Sequence, residues 1–337
     1  MIYCANAIFS QIIAKKANCL NHEKLYQPKV LNTIKILLLL LTFGFIIYKL
    51  FFAYHFEDLI SNFNFQLSVT KIFYLILVFV LMTFNWIVEA VKWKLLINKN
   101  EQISLLGSLK AVVSGIALSI ITPNQIGDFA GRIIHLKKFD KIKGTLVTVI
   151  GHTSQVILTL FFGLLAFTNL LFDKNLITVT IEKWFYIISS ILFAGAFFGY
   201  LNIRNFSKII TYEKIKKYVE VFGFYSDIEL LKVFIFSFIR YLIFILQYSL
   251  LLNFFNVEIE LTHMAICISA ILCAQSFVPS FLLVELGLRG ASALYFFTIF
   301  SSNTAGILLS AYSLWIINLM IPAVYGLFVI LKMRFNK

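Results

Sequence analysis

The chain has 337 residues, 60% of them hydrophobic and 13% charged, with a formal net charge of +13. Soluble domains carry roughly 25% charged residues, so this composition excludes a soluble globular protein and fits a chain whose solvent is the bilayer. The polar segments are all short, which leaves no room for a soluble catalytic domain. No basic run is interleaved with stacking aromatics, so the charge points to loop orientation and anionic lipid rather than to nucleic acid.

Residues 1–33 read as a cytoplasmic N-terminal extension. The stretch CANAIFSQIIA is apolar but short, and Lys15 and Lys16 follow it rather than precede it, unlike a secretory signal. Residues 34–331 read as one polytopic membrane domain and 332–337 as a cytoplasmic tail. A spanning helix needs about 20 apolar residues. Full spans are expected at 34–54, 71–91, 143–171, 183–201, 233–254 and 305–331. Two further apolar regions, 103–135 and 262–300, are interrupted by polar motifs. The fold expected is therefore all-α, with about six full transmembrane helices plus two re-entrant or broken helix pairs. Each interrupted region is a little short of the roughly 40 residues two complete crossings require.

Basic residues assign the sides, because Lys and Arg concentrate in cytoplasmic loops. Lys15, Lys16, Lys24, Lys29 and Lys35 place the first segment inside, whereas loop 55–70 has Glu57 and Asp58 and no Lys or Arg. Lys92, Lys94 and Lys99 return the chain inside, and Arg132, Lys137, Lys138, Lys141 and Lys143 keep it there. Region 103–135 thus enters and leaves by one face. Loop 202–232 is basic and inside, loop 255–263 is acidic and outside, and Lys332, Arg334 and Lys337 put the tail inside. Region 262–300 then starts and ends on the outer face.

The two interruptions resemble each other. The first reads Pro123-x4-Asp128-x3-Arg132 and the second Pro279-x5-Glu285-x3-Arg289. A proline stops a helix, and an acid follows with an arginine four residues later on the same helix face, so each acid neutralises its own arginine. Glycines (Gly127 and Gly131, Gly287 and Gly290) permit tight turns and close backbone approach. Two matched breaks entered from opposite faces suggest an inverted repeat, in which broken helices meet near the midplane around a substrate. Intramembrane charge is costly and usually functional. Asp128, Arg132, Arg240, Glu285 and Arg289 are the expected substrate-binding residues. Thr122, Pro123, Gly127, Gly131, Pro279, Gly287 and Gly290 are the structural motif.

TPNQIGDFAGR and ELGLRG, with RYLIFILQY and WIINLMIPAVYG, resemble the lysylphosphatidylglycerol synthase transmembrane-region family of flippase-like bacterial proteins. The likeness covers most of residues 34–331. In that family Glu usually stands at the position of Asp128, a basic residue often at that of Gln125, and a Gly-Gly pair often before the second motif, where this chain has LLVE. Bifunctional members add a soluble aminoacyltransferase domain; this sequence stops at Lys337 and is similar to the stand-alone members. The resemblance implies a multi-pass protein of the bacterial inner membrane that moves an anionic phospholipid or lipid-linked intermediate. Both termini are expected in the cytoplasm. No cofactor, metal or catalytic residue is expected, and the oligomeric state is left open. The rivals are an integral-membrane transferase using Asp128, His135 or Glu285 as base, and a non-catalytic scaffold for a lipid-synthesis enzyme.

Other intramembrane polar residues have plainer readings. Arg240 lies within a span and either snorkels or turns inward to meet phosphate or an acid. His152, Gln155, Tyr241 and Gln247 read as hydrogen-bonding bridges between helices. Glu89 and Lys92 read as an interfacial pair, and Pro322 as a kink that frees the Asn318 carbonyl. His135 and Asp140 share the H-x4-D spacing of some acyltransferases but sit in a basic connection. Cys267 and Cys273 read as small buried hydrophobes.

Overall fold

The computed structural model describes residues 67–122, 125–173, 176–205, 216, 218–277 and 282–333, with the side chains of 282–284 excepted. All of them lie in the unit Leu59–Lys337. The expected N-terminal extension, the span at 34–54, Cys4, Cys19, Pro123 and Pro279 lie outside the described residues.

Every regular element described is helical. Helix α1 is Val69–Ile97, α2 Leu105–Ile120, α3 Gly127–Ile133, α4 Lys141–Asp173 and α5 Val179–Leu201. A short 3-10 turn, Glu220–Phe224, precedes α6, Asp227–Phe254. Then come α7, Leu261–Phe277, α8, Leu282–Phe297, and α9, Thr304–Lys332. The starts are set by short polar residues whose oxygens take the first free backbone N–H groups. Ser68, Ser104, Thr178 and Asn303 do this for α1, α2, α5 and α9. Ser226 and Glu229 form a reciprocal capping box at α6.

Among the described residues four helices, α1, α4, α5 and α9, are long and apolar enough to cross a membrane. They coincide with the expected spans at 71–91, 143–171, 183–201 and 305–331. The span expected at 233–254 lies within the 28-residue α6, which carries Arg240 near its middle. Large apolar side chains such as Phe73, 60% exposed, and Ile191, 65% exposed, line the outside. An exterior this apolar needs a lipid solvent, and the chain is a multi-pass membrane protein.

Both interrupted regions are helical hairpins. In the first, a 16-residue arm (α2) packs on a 7-residue arm (α3); in the second, arms of 17 and 16 residues (α7 and α8) pack together. Each hairpin begins and ends at one end of the bundle. The Glu101 carboxylate, just before α2, accepts from the backbone N–H of Lys137, Lys138 and Phe139, just after α3, at 2.9–3.1 Å. At the other end Asn303, after α8, donates to the carbonyls of Phe255 (3.1 Å) and Asn256 (3.0 Å), before α7. Helix α6 runs from the first end, where Glu229 meets Lys99 at 2.7 Å, to the second. The hairpins therefore enter from opposite ends.

The halves α1–α4 and α6–α9 share one order: long helix, hairpin, long helix. Helices α1 and α6 pack on each other; α2 packs on α9, and α7 packs on α4. Each hairpin rests on the long helix that closes the other half, an exchange that a two-fold relation between halves produces. The 7-residue α3 against the 16-residue α8 is where the halves differ. One apolar core lies around α6, α7, α8 and α9 and includes Leu251, Ile268, Phe297 and Ile307.

Two buried ions were counted among loop charges by the sequence reading. Lys92 is 1% and Arg132 4% exposed, so neither belongs to a solvated belt. Lys94, Lys99, Lys137, Lys138, Lys141 and Lys143 carry that argument without them.

Gly326 on α9 lets the helix touch α2: a Cβ there would overlap the Val113 carbonyl, whereas one at Gly195 would meet open space. Overpacking of this kind costs about 1–3 kcal/mol. Gly326→Ala should lower the melting temperature of detergent-solubilised protein by several degrees, and Gly195→Ala should leave it unchanged. Burial pushes the Glu101 carboxyl up, but the three backbone N–H donors outweigh it and hold the group below its ordinary range. Its clasp on 137–139 therefore persists well above the ordinary carboxylate range and is lost only as pH falls through the lowered value. Glu101→Gln should speed hydrogen exchange at amides 137–139 at neutral pH, and lowering the pH from 7 to 5 should not do the same to the wild type.

Candidate functional site

The helices bring a cluster of charges to the middle of the bundle. Glu89 on α1 is 2% exposed and is its centre. Its carboxylate pairs with Lys92 Nζ at 2.8 Å, with Arg132 Nη1 at 2.7 Å, and with Arg240 Nη1. Arg132 also bonds Asp128, Nε to Oδ1 at 3.0 Å. The other Asp128 oxygen, Oδ2, lies 2.9 Å from His152 Nε2 on α4. Arg240 is further held by Asn85 Oδ1 at 2.8 Å and Gln155 Oε1 at 2.9 Å, and its guanidinium lies 5.8 Å from the Trp86 ring centroid. Lys92 also donates to the Gly151 carbonyl at 3.3 Å and to Ser237 Oγ at 3.4 Å. Isolated, any of these ions would be costly at this depth; neighbours of opposite sign and fixed dipoles make them tolerable.

The Glu89–Lys92 pair is thus real but not interfacial. Asn85, Glu89 and Lys92 fall at i, i+4 and i+7, a single helical face in FNWIVEAVKWK, and that spacing is the signal by which the sequence could have disclosed a buried polar stripe. Asp128 and Arg132 pair as their spacing predicts, yet Arg132 has two carboxylates and Asp128 a histidine besides, so the pair is part of a network.

The second motif has a different setting. Arg289 Nη2 lies 2.6 Å from Glu285 Oε1, and the side chains are 21% and 12% exposed. Gln125, at the tip of the first hairpin, reaches Glu285 Oε1 with Nε2 at 3.5 Å. The two interrupted regions therefore meet through their polar tips. Gln125 has φ 56°, a left-handed conformation costing a non-glycine residue about 1–2 kcal/mol. The motif glycines have negative φ. Cβ atoms at Gly127, Gly131 and Gly290 would collide with the Leu118 carbonyl, the Ser114 carbonyl and Tyr312, so these glycines serve close approach. A Cβ at Gly287 would meet nothing within 4 Å among the described residues. Thr122 closes the turn: its hydroxyl donates to the Leu118 carbonyl at 3.0 Å and accepts from the Gly127 N–H at 2.7 Å.

Between the hairpin tips lies a cavity of about 380 Å³, within the usual range of small-molecule sites. Arg240, Glu285 and Arg289 reach its wall, whereas Asp128 and Arg132 stand behind it. The lining also includes Asn85, Trp86, Gln155 and, from the sharpest irregularity of α9, Asn318. There the helix opens into a π turn at Ile316–Met320, with the Ile321 N–H reaching back to the Ile316 carbonyl. Pro322 has no N–H to give Asn318, and the π register absorbs the loss. Helix irregularities of this kind often mark functional sites.

The remaining polar readings resolve locally. Tyr241 donates to Ser269 at 2.7 Å and Gln247 to the Val78 carbonyl at 3.0 Å, so both bridge helices. His135 and Asp140 have separate partners. The imidazole bonds Ser114 Oγ at 2.9 Å, and Asp140 Oδ1 accepts from the Ile142 and Lys143 N–H groups at the start of α4. Cys267 and Cys273 are buried free thiols. Among the described residues no three His, Cys, Asp or Glu side chains form a group that could hold a metal.

The family described as Lysylphosphatidylglycerol synthase TM region matches residues 33–326. No curated protein and no solved structure matches the chain significantly.

Because one carboxylate serves three cations, Glu89→Gln should be the most damaging neutral change in the cluster. Breaking a buried pair costs about 3–5 kcal/mol, and losses near the top of that range are expected in heat-challenge size-exclusion profiles. Asp128→Asn should cost less. The double variant Asp128→Asn/Arg132→Gln should recover only part of the loss, since Glu89 then has only Lys92 and Arg240.

Proposed function

Given that the chain belongs to the lysylphosphatidylglycerol synthase transmembrane-region family, we propose that it moves, or assists in moving, the head group of an anionic phospholipid or lipid-linked intermediate across the bacterial inner membrane. One observation carries the reading: a cavity at the meeting point of two hairpins that enter from opposite ends, with Arg240, Arg289 and Glu285 on its wall. The buried cluster and the cavity pair together hold four cations (Lys92, Arg132, Arg240, Arg289) against three carboxylates (Glu89, Asp128, Glu285). One formal positive charge is left over, which complements the single negative charge of a phosphodiester. Arg240 and Arg289 meet the phosphate, while Asp128 and Arg132 stand behind and fix the cluster; Glu285 orients Arg289 when no head group is present. Acyl tails stay in the bilayer along the apolar exterior. The basic connections around Lys99 and Lys137 face the cytoplasm, and both termini lie on that side.

The transferase alternative has less support. Asp128 is committed to Arg132 and His152, and neither His152 nor His135 lines the cavity. Glu285 is the one carboxylate on the cavity wall among the described residues, and Arg289 occupies it.

Reconstitution tests the proposal. Liposomes containing the purified chain should expose fluorescent phosphatidylglycerol to dithionite faster than protein-free liposomes. Arg289→Gln, which leaves the Glu89 cluster intact, should slow that rate roughly ten- to hundredfold, as expected for loss of one charge-assisted contact of roughly 1.5–3 kcal/mol. A rate unaltered by protein, or chemical modification of the lipid by the chain alone, would refute the transport reading.

A further inference from the structure

We propose that His152 is a proton site linked to the head-group site, so that the anion and a proton are taken up together. This rests on the head-group proposal and adds what accompanies the anion. The buried cluster forms one hydrogen-bonded run that ends at the cavity. His152 Nε2 lies 2.9 Å from Asp128 Oδ2, and Asp128 Oδ1 accepts from Arg132 Nε at 3.0 Å. Arg132 Nη1 reaches Glu89 Oε1 at 2.7 Å, and the other Glu89 oxygen holds Arg240, which stands on the cavity wall. The run closes on itself through α4, because Gln155, which also holds Arg240, is three residues beyond His152. That spacing is about 5 Å of helix rise.

Exposure singles out the imidazole. The side chains of Lys92, Glu89, Arg132, Asp128 and Arg240 are 2–12% exposed, whereas that of His152 is 39% exposed. Both carboxylates are claimed by cations and Lys92 is enclosed, so His152 is the member open to a proton. A carboxylate only accepts, so Nε2 carries the hydrogen. Nδ1 makes no hydrogen bond among the described residues and is the atom that takes the proton. Asp128 on α3 faces the ring directly, with Arg132 behind it; Glu89 and Lys92 stand on α1 and Arg240 on α6. The other elements packed on α4 carry their charges towards its ends: Glu182 and Lys183 on α5, His263 on α7, and Glu220 in the 3-10 turn. With a neutral imidazole the cluster holds three cations (Lys92, Arg132, Arg240) against two carboxylates (Glu89, Asp128). A proton on His152 leaves a second positive charge uncompensated at depth, which is costly. A phosphodiester at Arg240 offsets that charge. Each ligand therefore favours the other, and the coupling is reciprocal.

Calorimetric titration of the full chain in detergent with short-chain phosphatidylglycerol tests this, because that lipid keeps one negative charge from pH 8 to pH 5.5, the range in which imidazoles ordinarily titrate. The wild type should bind it about tenfold tighter at pH 5.5 than at pH 8, the factor expected of opposite charges about 10 Å apart in a protein interior. His152→Gln keeps an N–H donor for Asp128 but takes no proton; its affinity should be the same at both pH values, with the melting temperature as a check on the fold. Phosphatidylcholine, which has no net charge, should show no rise. A measurement that needs no variant is the wild-type titration near pH 7 in buffers of different ionisation enthalpy, which should report uptake of a fraction of a proton per phosphatidylglycerol bound. Equal wild-type affinity at the two pH values, or binding without proton uptake, overturns the inference while sparing the head-group proposal. A pH dependence kept by His152→Gln also overturns it, by placing the proton elsewhere. The same rise with phosphatidylcholine overturns the charge linkage. Absence of phosphatidylglycerol binding at both pH values overturns both proposals.

Discussion

One carboxylate organises the interior. Glu89 faces Lys92, Arg132 and Arg240, and through them it ties α1 to α3, α4 and α6. The constraint is electrostatic: at this depth an ion is tolerable only beside its opposite, and three cations cannot share a site without an acid among them. Packing alone does not demand this arrangement, because an apolar residue of similar volume would fill the same space. Its consequence is positional. Arg240 is held by Glu89, Asn85 and Gln155 and thereby fixed at the cavity wall. A preorganised guanidinium binds an anion with less entropy lost on association than a free one.

The two Asp/Glu–Arg motifs look alike in spacing and differ in situation. Asp128 and Arg132 occur on a seven-residue helix and are absorbed by the cluster, each with a partner outside the motif. Glu285 and Arg289 sit on a 16-residue helix and open onto the cavity, with Gln125 as a further contact. One motif therefore supports the arginine at the wall, and the other presents its own. The left-handed Gln125 puts backbone strain at the meeting point of the two hairpins.

Two hairpins entering from opposite ends also account for the cavity itself. Chain that does not complete a crossing leaves backbone and polar side chains at mid-depth, which is tolerated only where protein or a polar cavity covers them. The exchanged packing, α2 on α9 and α7 on α4, supplies protein cover to the hairpins.

The fold class was legible in the sequence because membrane helices are written in local terms: length, apolarity and bounding charge. The spans at 71–91, 143–171, 183–201 and 305–331, the two interruptions and the internal pairs Asp128–Arg132 and Glu285–Arg289 follow from spacing along one helix. Several things did not follow. Glu89 and Lys92 looked like a pair at a helix end, since i, i+3 spacing says nothing of what faces it across the bundle; only α6 packing on α1 and Arg132 reaching over from α3 make the pair a buried hub. Arg240 left open whether it snorkels or turns inward, and Asn85 and Gln155, 155 and 85 residues away in sequence, decide it. The glycine motif did not disclose that Gly287, unlike Gly127, Gly131 and Gly290, has no close neighbour among the described residues. The sequence by itself determined which of the described segments are long and apolar enough to cross a bilayer and where the two hairpins interrupt the pattern, because those depend on the free energy of each segment against its solvent. The tertiary structure alone decided which charges meet and which of them reach the cavity, because a pair interaction at depth depends on distances between helices that no local pattern encodes.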